Sequence, residues 1–329
     1  MAVRPTPLNA ARLVLAAAVP TLAAAPWLFG DTQLVMLTEF FSTLVLAIMW
    51  NMLAGYADIV TVGQHGFVGV GAYAFYGFAV LAGINPYVSL PLAGVVALIV
   101  AVPAMVLVFR LRTACLSIGT WVIAEVLMLG AGKLEAFGGG SGVSLPVAVL
   151  REFGASRGGR IAMIYWLAFA LTMIALAATY LLLRSRIGIG LTAMRDNEES
   201  AASVGVNITR ARILCFVGCA PLLGITGALI TLQKLRIAPH PSFSISDWTV
   251  FIIFNVVIGG IGTIEGPILG TTVFFILRAY LTDYGTWYLM LLGALSIVII
   301  QVDRRGLWGL IRRFLLSADL GFSSPRHPK

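Results

Sequence analysis

The stretch Arg184–Arg212, RSRIGIGLTAMRDNEESAASVGVNITRAR, is the one long polar island late in a chain that is mostly hydrocarbon on either side of it. It holds Arg184, Arg186, Arg195, Asp196, Glu198, Glu199, Arg210 and Arg212. At the centre of a bilayer each such side chain costs roughly 2.5–3.5 kcal/mol even on lenient insertion scales. The island therefore lies outside the lipid as a loop between two membrane spans, and its surplus of arginine assigns it to the cytoplasmic face. Leu191–Val204 has no Gly or Pro and is rich in helix formers, and Gly205 follows as a C-terminal stop. The expectation is one short helix on that face, with Asn207 or Thr209 capping the next.

Composition supports this reading outward from the island. The 329 residues are 59% hydrophobic and only 11% charged, with a mean hydropathy of +0.96. Soluble domains carry about 25% charged residues. Apolar runs of about 16–23 residues without period-two alternation point to helices rather than barrel strands. The net charge of +8 does not indicate nucleic acid, because the basic residues are spread over loop ends rather than gathered on one soluble face. Cys115, Cys215 and Cys219 all sit in apolar runs, are odd in number and lack metal spacing. No metal site and no catalytic residue is expected.

The fold class expected is an all-α polytopic membrane protein of about ten transmembrane helices, including broken or re-entrant segments, with both termini cytoplasmic. Residues 1–329 are expected to form a single transmembrane domain, with a cytoplasmic loop 184–212 and a basic tail 303–329. The spans are about Leu13–Phe29 (a retained helix rather than a cleaved signal), Leu34–Leu53, Phe67–Leu81, Tyr87–Phe109, Ala114–Gly130, Ile161–Leu183, Ile213–Leu232, Trp248–Ile258, Pro267–Leu281 and Thr286–Val302. With the N-terminus inside, fifteen Lys and Arg fall on inner loops and six on outer ones, as the positive-inside rule requires. Arg278 is left within a span, to snorkel or to meet Asp283.

Two glycine-rich stretches interrupt the apolar pattern, Ala54–Phe75 and Gly259–Gly270. The candidate backbone breaks are Gly63, Gly66, Gly259, Gly260, Gly262, Gly266 and Pro267. Paired interruptions in two halves of a chain point to a transporter pathway, since irregular backbone at membrane depth is tolerated only against protein or a watery cavity. The candidate path residues are Gln64, His65, Thr120, Glu125 and Asn255. Each has two readings: Glu125 binds a solute ammonium or bonds to neighbouring helices; Gln64 and His65 line the path or cap a broken helix; Asn255 touches solute or hydrogen-bonds across helices.

Taken together, Asn51–Tyr73, Ile118–Glu125, Ser185–Gly205 and Val257–Gly270 resemble the permease family of branched-chain amino acid ABC importers, the LivM type, over nearly the whole chain. The resemblance implies a permease subunit of an ATP-binding-cassette importer for a small solute, branched-chain or related amino acids first, in the inner (plasma) membrane of a bacterial cell. It implies a coupling loop carried by Arg195, Asp196, Asn197, Glu198, Glu199, Ala201 and Gly205, in which small residues seat a short helix in a partner's groove. The partners it implies are a second homologous permease of the LivH type, two ATP-binding subunits and an extracytoplasmic solute-binding protein, with the lipid bilayer around them and no nucleic acid. Cofactors are none in this chain, ATP and Mg being held by partner subunits. The sequence agrees in having no G-x-x-x-x-G-K-[ST]: Lys133 follows a Gly but precedes Leu134. His65, Asn255 and Ser200 depart from the family's usual residues. Urea, amides and organic acids stay open as solutes. The alternative class is an ion-coupled secondary transporter or channel using Glu125 and Asp58. An intramembrane enzyme lacks a catalytic set, as His65, His240 and His327 are scattered and neither H-E-x-x-H nor G-x-S-x-G occurs.

Overall fold

The computed structural model describes residues 20–111, 113–281, 287–302 and 306–311. Helix α1 spans Asp31–Asn51 and runs on through a π turn, Met52–Tyr56. An irregular segment, 57–63, precedes α2, Gln64–Tyr76, which also ends in a π turn, Gly77–Leu81. Helix α3 is Pro86–Val108, started by Asn85, whose side chain accepts from the Tyr87 amide at 2.9 Å. Helix α4 is Thr113–Ala131 and α5 is Arg157–Arg184. Two short helices, α6 (Arg186–Asp196) and α7 (Glu198–Ser203), lead into α8, Ile208–Lys234. A π turn, Ser246–Val250, opens α9, Phe251–Gly259, and α10 (Glu265–Leu281) and α11 (Trp287–Val302) follow. Among the described residues the only sheet is an antiparallel pair, β1 (Val143–Ser144) with β2 (Arg236–Ile237), in register Val143 to Ile237.

Among the described residues, five helical stretches are long and apolar enough to cross a membrane: Asp31–Tyr56, Pro86–Val108, Arg157–Arg184, Ile208–Lys234 and Pro239–Gly259. Cys115–Ala131 taken with Glu135–Ser141, bent by 88°, makes a sixth. Helices α2, α10 and α11 coincide with expected spans but have only 13, 17 and 16 residues. The expected span Leu13–Phe29 lies outside the described residues up to position 19 and shows a helical turn at Ala25–Leu28. The tail 303–329 lies outside them except for 306–311.

Helix α8 is the hub, packing on α3, α2, α1 and α5. Lipid chains are as apolar as leucine, so helices in a bilayer gain by close approach of backbones rather than by leaving water. Glycine supplies that approach here. A Cβ at Gly227 of α8 would stand 1.9 Å from the Val68 carbonyl oxygen of α2, and one at Gly71 would stand 2.0 Å from that of Gly224. Helices α9 and α10 pack the same way, with Gly270 against the Asn255 carbonyl. Aromatic edges join α1 to α5, where the Phe41 ring lies 5.7 Å from Tyr165 and 5.4 Å from Phe169. Away from these seams, Ile99, Val106, Val126 and Leu129 are exposed, as suits faces turned to hydrocarbon.

The structure corrects two local expectations. Gly66, Gly266 and Pro267 are not breaks; all three lie in the first turns of helices. Gly66 serves close packing instead, with a Cβ there meeting that of Ala124 at 2.9 Å. Arg278, expected to snorkel or to meet Asp283, pairs with Glu39 at 3.1 Å; Asp283 lies outside the described residues, so that expectation is neither met nor overturned. The single helix expected over Leu191–Val204 is two, because Asn197 adopts an extended backbone (φ −160°, ψ 110°) and caps the second with its own side chain, accepting from the Ser200 amide at 2.9 Å.

Candidate functional site

Two helices stop where their sequence no longer supports helical backbone. Helix α1 loosens through its π turn and ends before Asp58, which holds φ 54°. Helix α9 ends at Gly259, and Gly260 and Gly262 follow with φ 128° and 75°, values that favour glycine. The two breaks are about two hundred residues apart in sequence and meet in space. A Cβ at Gly55 would lie 2.5 Å from the Gly262 nitrogen. Asn51, 2% exposed, joins them: its Oδ1 accepts from the Gly262 amide at 2.8 Å, and its Nδ2 donates to the Thr263 carbonyl at 2.8 Å. Thr263 in turn starts α10, its hydroxyl accepting from the Gly266 amide at 3.0 Å.

The polar island clasps both breaks. Arg195, near the end of α6, donates to the Gly262 carbonyl at 3.3 Å and sets its guanidinium 5.9 Å from the Tyr56 ring centre. Arg212 of α8 donates from Nε to the Ala57 carbonyl at 3.2 Å and reaches Asp58 at 3.4 Å. It also grips Glu198 of α7 with two parallel bonds of 3.0 and 3.1 Å, the forked geometry that guanidinium and carboxylate favour. One arginine therefore ties the island to the first break, and another ties it to the second.

Local sequence shapes the island for this. Asn207 caps α8 by accepting from the Arg210 amide at 3.0 Å. Gly205, at φ 89°, reverses the chain between α7 and α8, and the Val206 amide returns to the Ala201 carbonyl at 3.1 Å. The inner face carries Leu191, Met194 and Ala201, all buried. Ala201, expected in a partner's groove, thus packs inside its own chain at 2% exposure, and Glu198 is engaged by Arg212. The outer face carries Glu199, Ser200, Ser203 and Gly205, with Val204 78% and Ile189 65% exposed.

The five candidate path residues do not form one cluster. Gln64 and His65 open α2 and are pinned to the π turn before α9: Gln64 donates to the Trp248 carbonyl, and His65 Nδ1 lies 3.1 Å from both the Val62 carbonyl and the Thr249 hydroxyl. Thr120 stands under the first break, its hydroxyl accepting from the Val62 amide at 3.2 Å. Glu125 is partly exposed and accepts from Trp121 of its own helix at 3.1 Å. Asn255 is fully buried, and neither its Oδ1 nor its Nδ2 has a hydrogen-bond partner among the described residues. Among the described residues no group of three or more His, Cys, Asp or Glu is placed to hold a metal ion. Sequence reasoning passed over Asn51 and Tyr56 as site residues; an amide at the end of an apolar helix, next to a glycine-rich break, was the available signal for the first.

Comparison with known proteins bears on this geometry. The family profile described as branched-chain amino acid transport system / permease component matches residues 34–300. A high-affinity branched-chain amino acid transport system permease protein LivM of Salmonella typhimurium is 26% identical over 326 residues, covering 92% of this chain and 74% of the relative. A probable LivM of Methanocaldococcus jannaschii is 28% identical over 274 residues, 73% of this chain and 78% of the relative. A probable LivH of the same organism is 22% identical over 284 residues, 82% and 89%. No solved structure matches the chain.

Proposed function

The chain belongs to the permease family of branched-chain amino acid transport systems, and from that premise we propose that it is the transmembrane subunit of an ATP-binding-cassette importer carrying branched-chain or related amino acids into the cytoplasm. It is a multi-pass membrane protein, and in this proposal it sits in a bacterial inner membrane with about ten spans and both termini in the cytoplasm. It pairs with a second, LivH-type permease; similarity to both LivM and LivH proteins supports that pairing. Two ATP-binding subunits hold ATP and Mg, and an extracytoplasmic binding protein delivers the solute.

The observation that carries the coupling reading is the double clasp of the island on the two breaks. A partner ATPase docks on the outer face of α6 and α7, around Glu199, Val204 and Gly205. When the ATPases close on nucleotide they displace this pair of short helices. Arg195 passes the displacement to Gly262 and so to α9 and α10, while Arg212 passes it to Ala57 and Asp58 and so to α1 and α2. Packed helices rock as bodies rather than deform, so a shift at the loop tilts the spans that line the path.

The test is uptake by the reconstituted importer. Glu199→Arg reverses a charge on the docking face. Gly205→Trp adds bulk to an exposed turn with no other atom of the described residues within 4 Å of its Cβ position, and because φ 89° strains any side chain there, Gly205→Ala is its control and should keep uptake. Glu199→Arg and Gly205→Trp are both expected to enter the membrane and elute as folded protein, yet to abolish uptake. Normal uptake by both overturns the coupling assignment.

A further inference from the structure

A cavity of about 200 Å³ opens between α1, α8, α10 and the π turn before α9. It lies well away from the clasp. Glu39 precedes Asn51 by twelve residues on α1, about 18 Å at 1.5 Å per residue. Arg278 is thirteen residues beyond Glu265 on α10, about 20 Å by the same rise. The cavity is thus set away from the coupling face, toward the far end of α8, which Lys234 closes.

Its wall carries two charges of each sign: Glu39, Asp247, Lys234 and Arg278. Glu39 and Arg278 pair with each other at 3.1 Å. Lys234 and Asp247 have no ion partner among the described residues; the Lys234 ammonium lies 4.6 Å over the Trp248 ring instead. Ser42, 3% exposed, also lines the cavity, and its hydroxyl has no hydrogen-bond partner among the described residues. Thr43 and Gln233 add polar groups to the wall, and Ile230, Phe251 and Phe274 give it an apolar side. Lys234, the last residue of α8, and Asp247, at the start of the π turn, are both exposed where they line the cavity, so a solute arriving at this end of the helices can reach them. A cation and an anion facing one cavity without pairing leave a field that a particular kind of solute satisfies. With Glu39 paired to Arg278, an organic anion satisfies Lys234 but leaves Asp247 unmatched, and an uncharged amide leaves both charges unmatched. A zwitterion matches both.

We propose that this cavity is a solute site on the transport path, in which Lys234 receives the α-carboxylate and Asp247 the α-ammonium of an amino acid whose aliphatic side chain rests on Ile230, Phe251 and Phe274. The Glu39–Arg278 pair neutralises the far wall, and the Ser42 hydroxyl supplies a further polar contact. This site rests on the importer reading and adds to it the means by which a zwitterion is selected inside the permease itself.

The experiment measures uptake of labelled L-leucine into proteoliposomes holding the whole importer, with leucine-loaded binding protein at saturation. Lys234→Met and Asp247→Asn are each expected to lower uptake at least tenfold, while the subunit still co-purifies with its partners at the wild-type elution volume. The exchange variant Lys234→Asp with Asp247→Lys keeps the charge balance and inverts its direction. Continued loss in the exchange variant supports the site; recovery to near wild type shows that the two groups only balance one another and overturns it. Uptake within twofold of wild type in both single variants also overturns it and leaves the importer reading standing. Absence of leucine uptake by the wild-type importer overturns the importer reading, and the assignment of an amino acid to the cavity with it.

Discussion

At the scale of single residues, Arg212 and Asn51 hold the clasp by different physics. Arg212 is about one-fifth exposed, and its carboxylate partners Glu198 and Asp58 are about half exposed or more. Pairs of that kind contribute only about 0.2–1 kcal/mol to stability. Arg212→Met is therefore expected to cost little in thermal unfolding and much in uptake, at least fivefold, because the link to the first break is lost. Pairing Arg212→Glu with Glu198→Arg should recover part of the uptake; a melting temperature that falls in step with uptake would instead make Arg212 a structural residue. Asn51 is buried, and removing it strands the Gly262 amide and the Thr263 carbonyl. Each stranded group costs roughly 1–3 kcal/mol. Asn51→Leu should lower the unfolding temperature of the purified subunit by several degrees, and an unchanged temperature would show that the breaks do not depend on it.

At the scale of elements, the seams between helices are set by glycine rather than by large apolar side chains. Gly227 and Gly218 test this within one helix. A Cβ at Gly227 overlaps the Val68 carbonyl, whereas a Cβ at Gly218 meets nothing within 4 Å. Overpacking of a tight contact costs typically 1–3 kcal/mol. Gly227→Ala should destabilise the α2–α8 seam by about that much, read as lost thermal stability in mild detergent, and Gly218→Ala should not; equal effects would refute the close-approach account. The island shows the opposite use of a small polar residue. Asn197 divides one run of helix formers into α6 and α7 by capping the second. That division turns Glu198 toward Arg212 while Glu199 faces outward.

At the scale of the molecule, the clasp lies at one end of α1 and α8 and the charged cavity lies farther along the same helices. A displacement of the island therefore reaches the cavity through helices that are common to both. The orientation proposed for the importer places Val204 in the cytoplasm. A Val204→Cys variant, in a background whose own exposed Cys115 is replaced, should react with a membrane-impermeant maleimide in inside-out vesicles and not in right-side-out ones. Labelling from the outside would reverse the topology and remove the island from any cytoplasmic ATPase.

What the sequence determined by itself is what depends on composition and on chain-local chemistry. Few charges and long apolar runs required helices in a membrane, since no other open structure satisfies its backbone there. The island's charges excluded it from lipid, and Gly205, Asn207, Gly260 and Gly262 stand where local backbone or capping chemistry calls for them. What only the tertiary structure decided is whatever depends on residues far apart in the chain. That Asn51 bonds to Gly262, that Arg212 reaches Ala57, and that Gly66 and Gly266 serve packing rather than unwinding could not be read from spacing. In hydrocarbon the partner of a small or polar residue is chosen by helix crossing, and crossings are settled by the packing of the whole bundle. The same holds for the cavity. Glu39, Lys234, Asp247 and Arg278 each look like an ordinary charge near a span end, and only the assembled helices bring two of them together while leaving two unpaired.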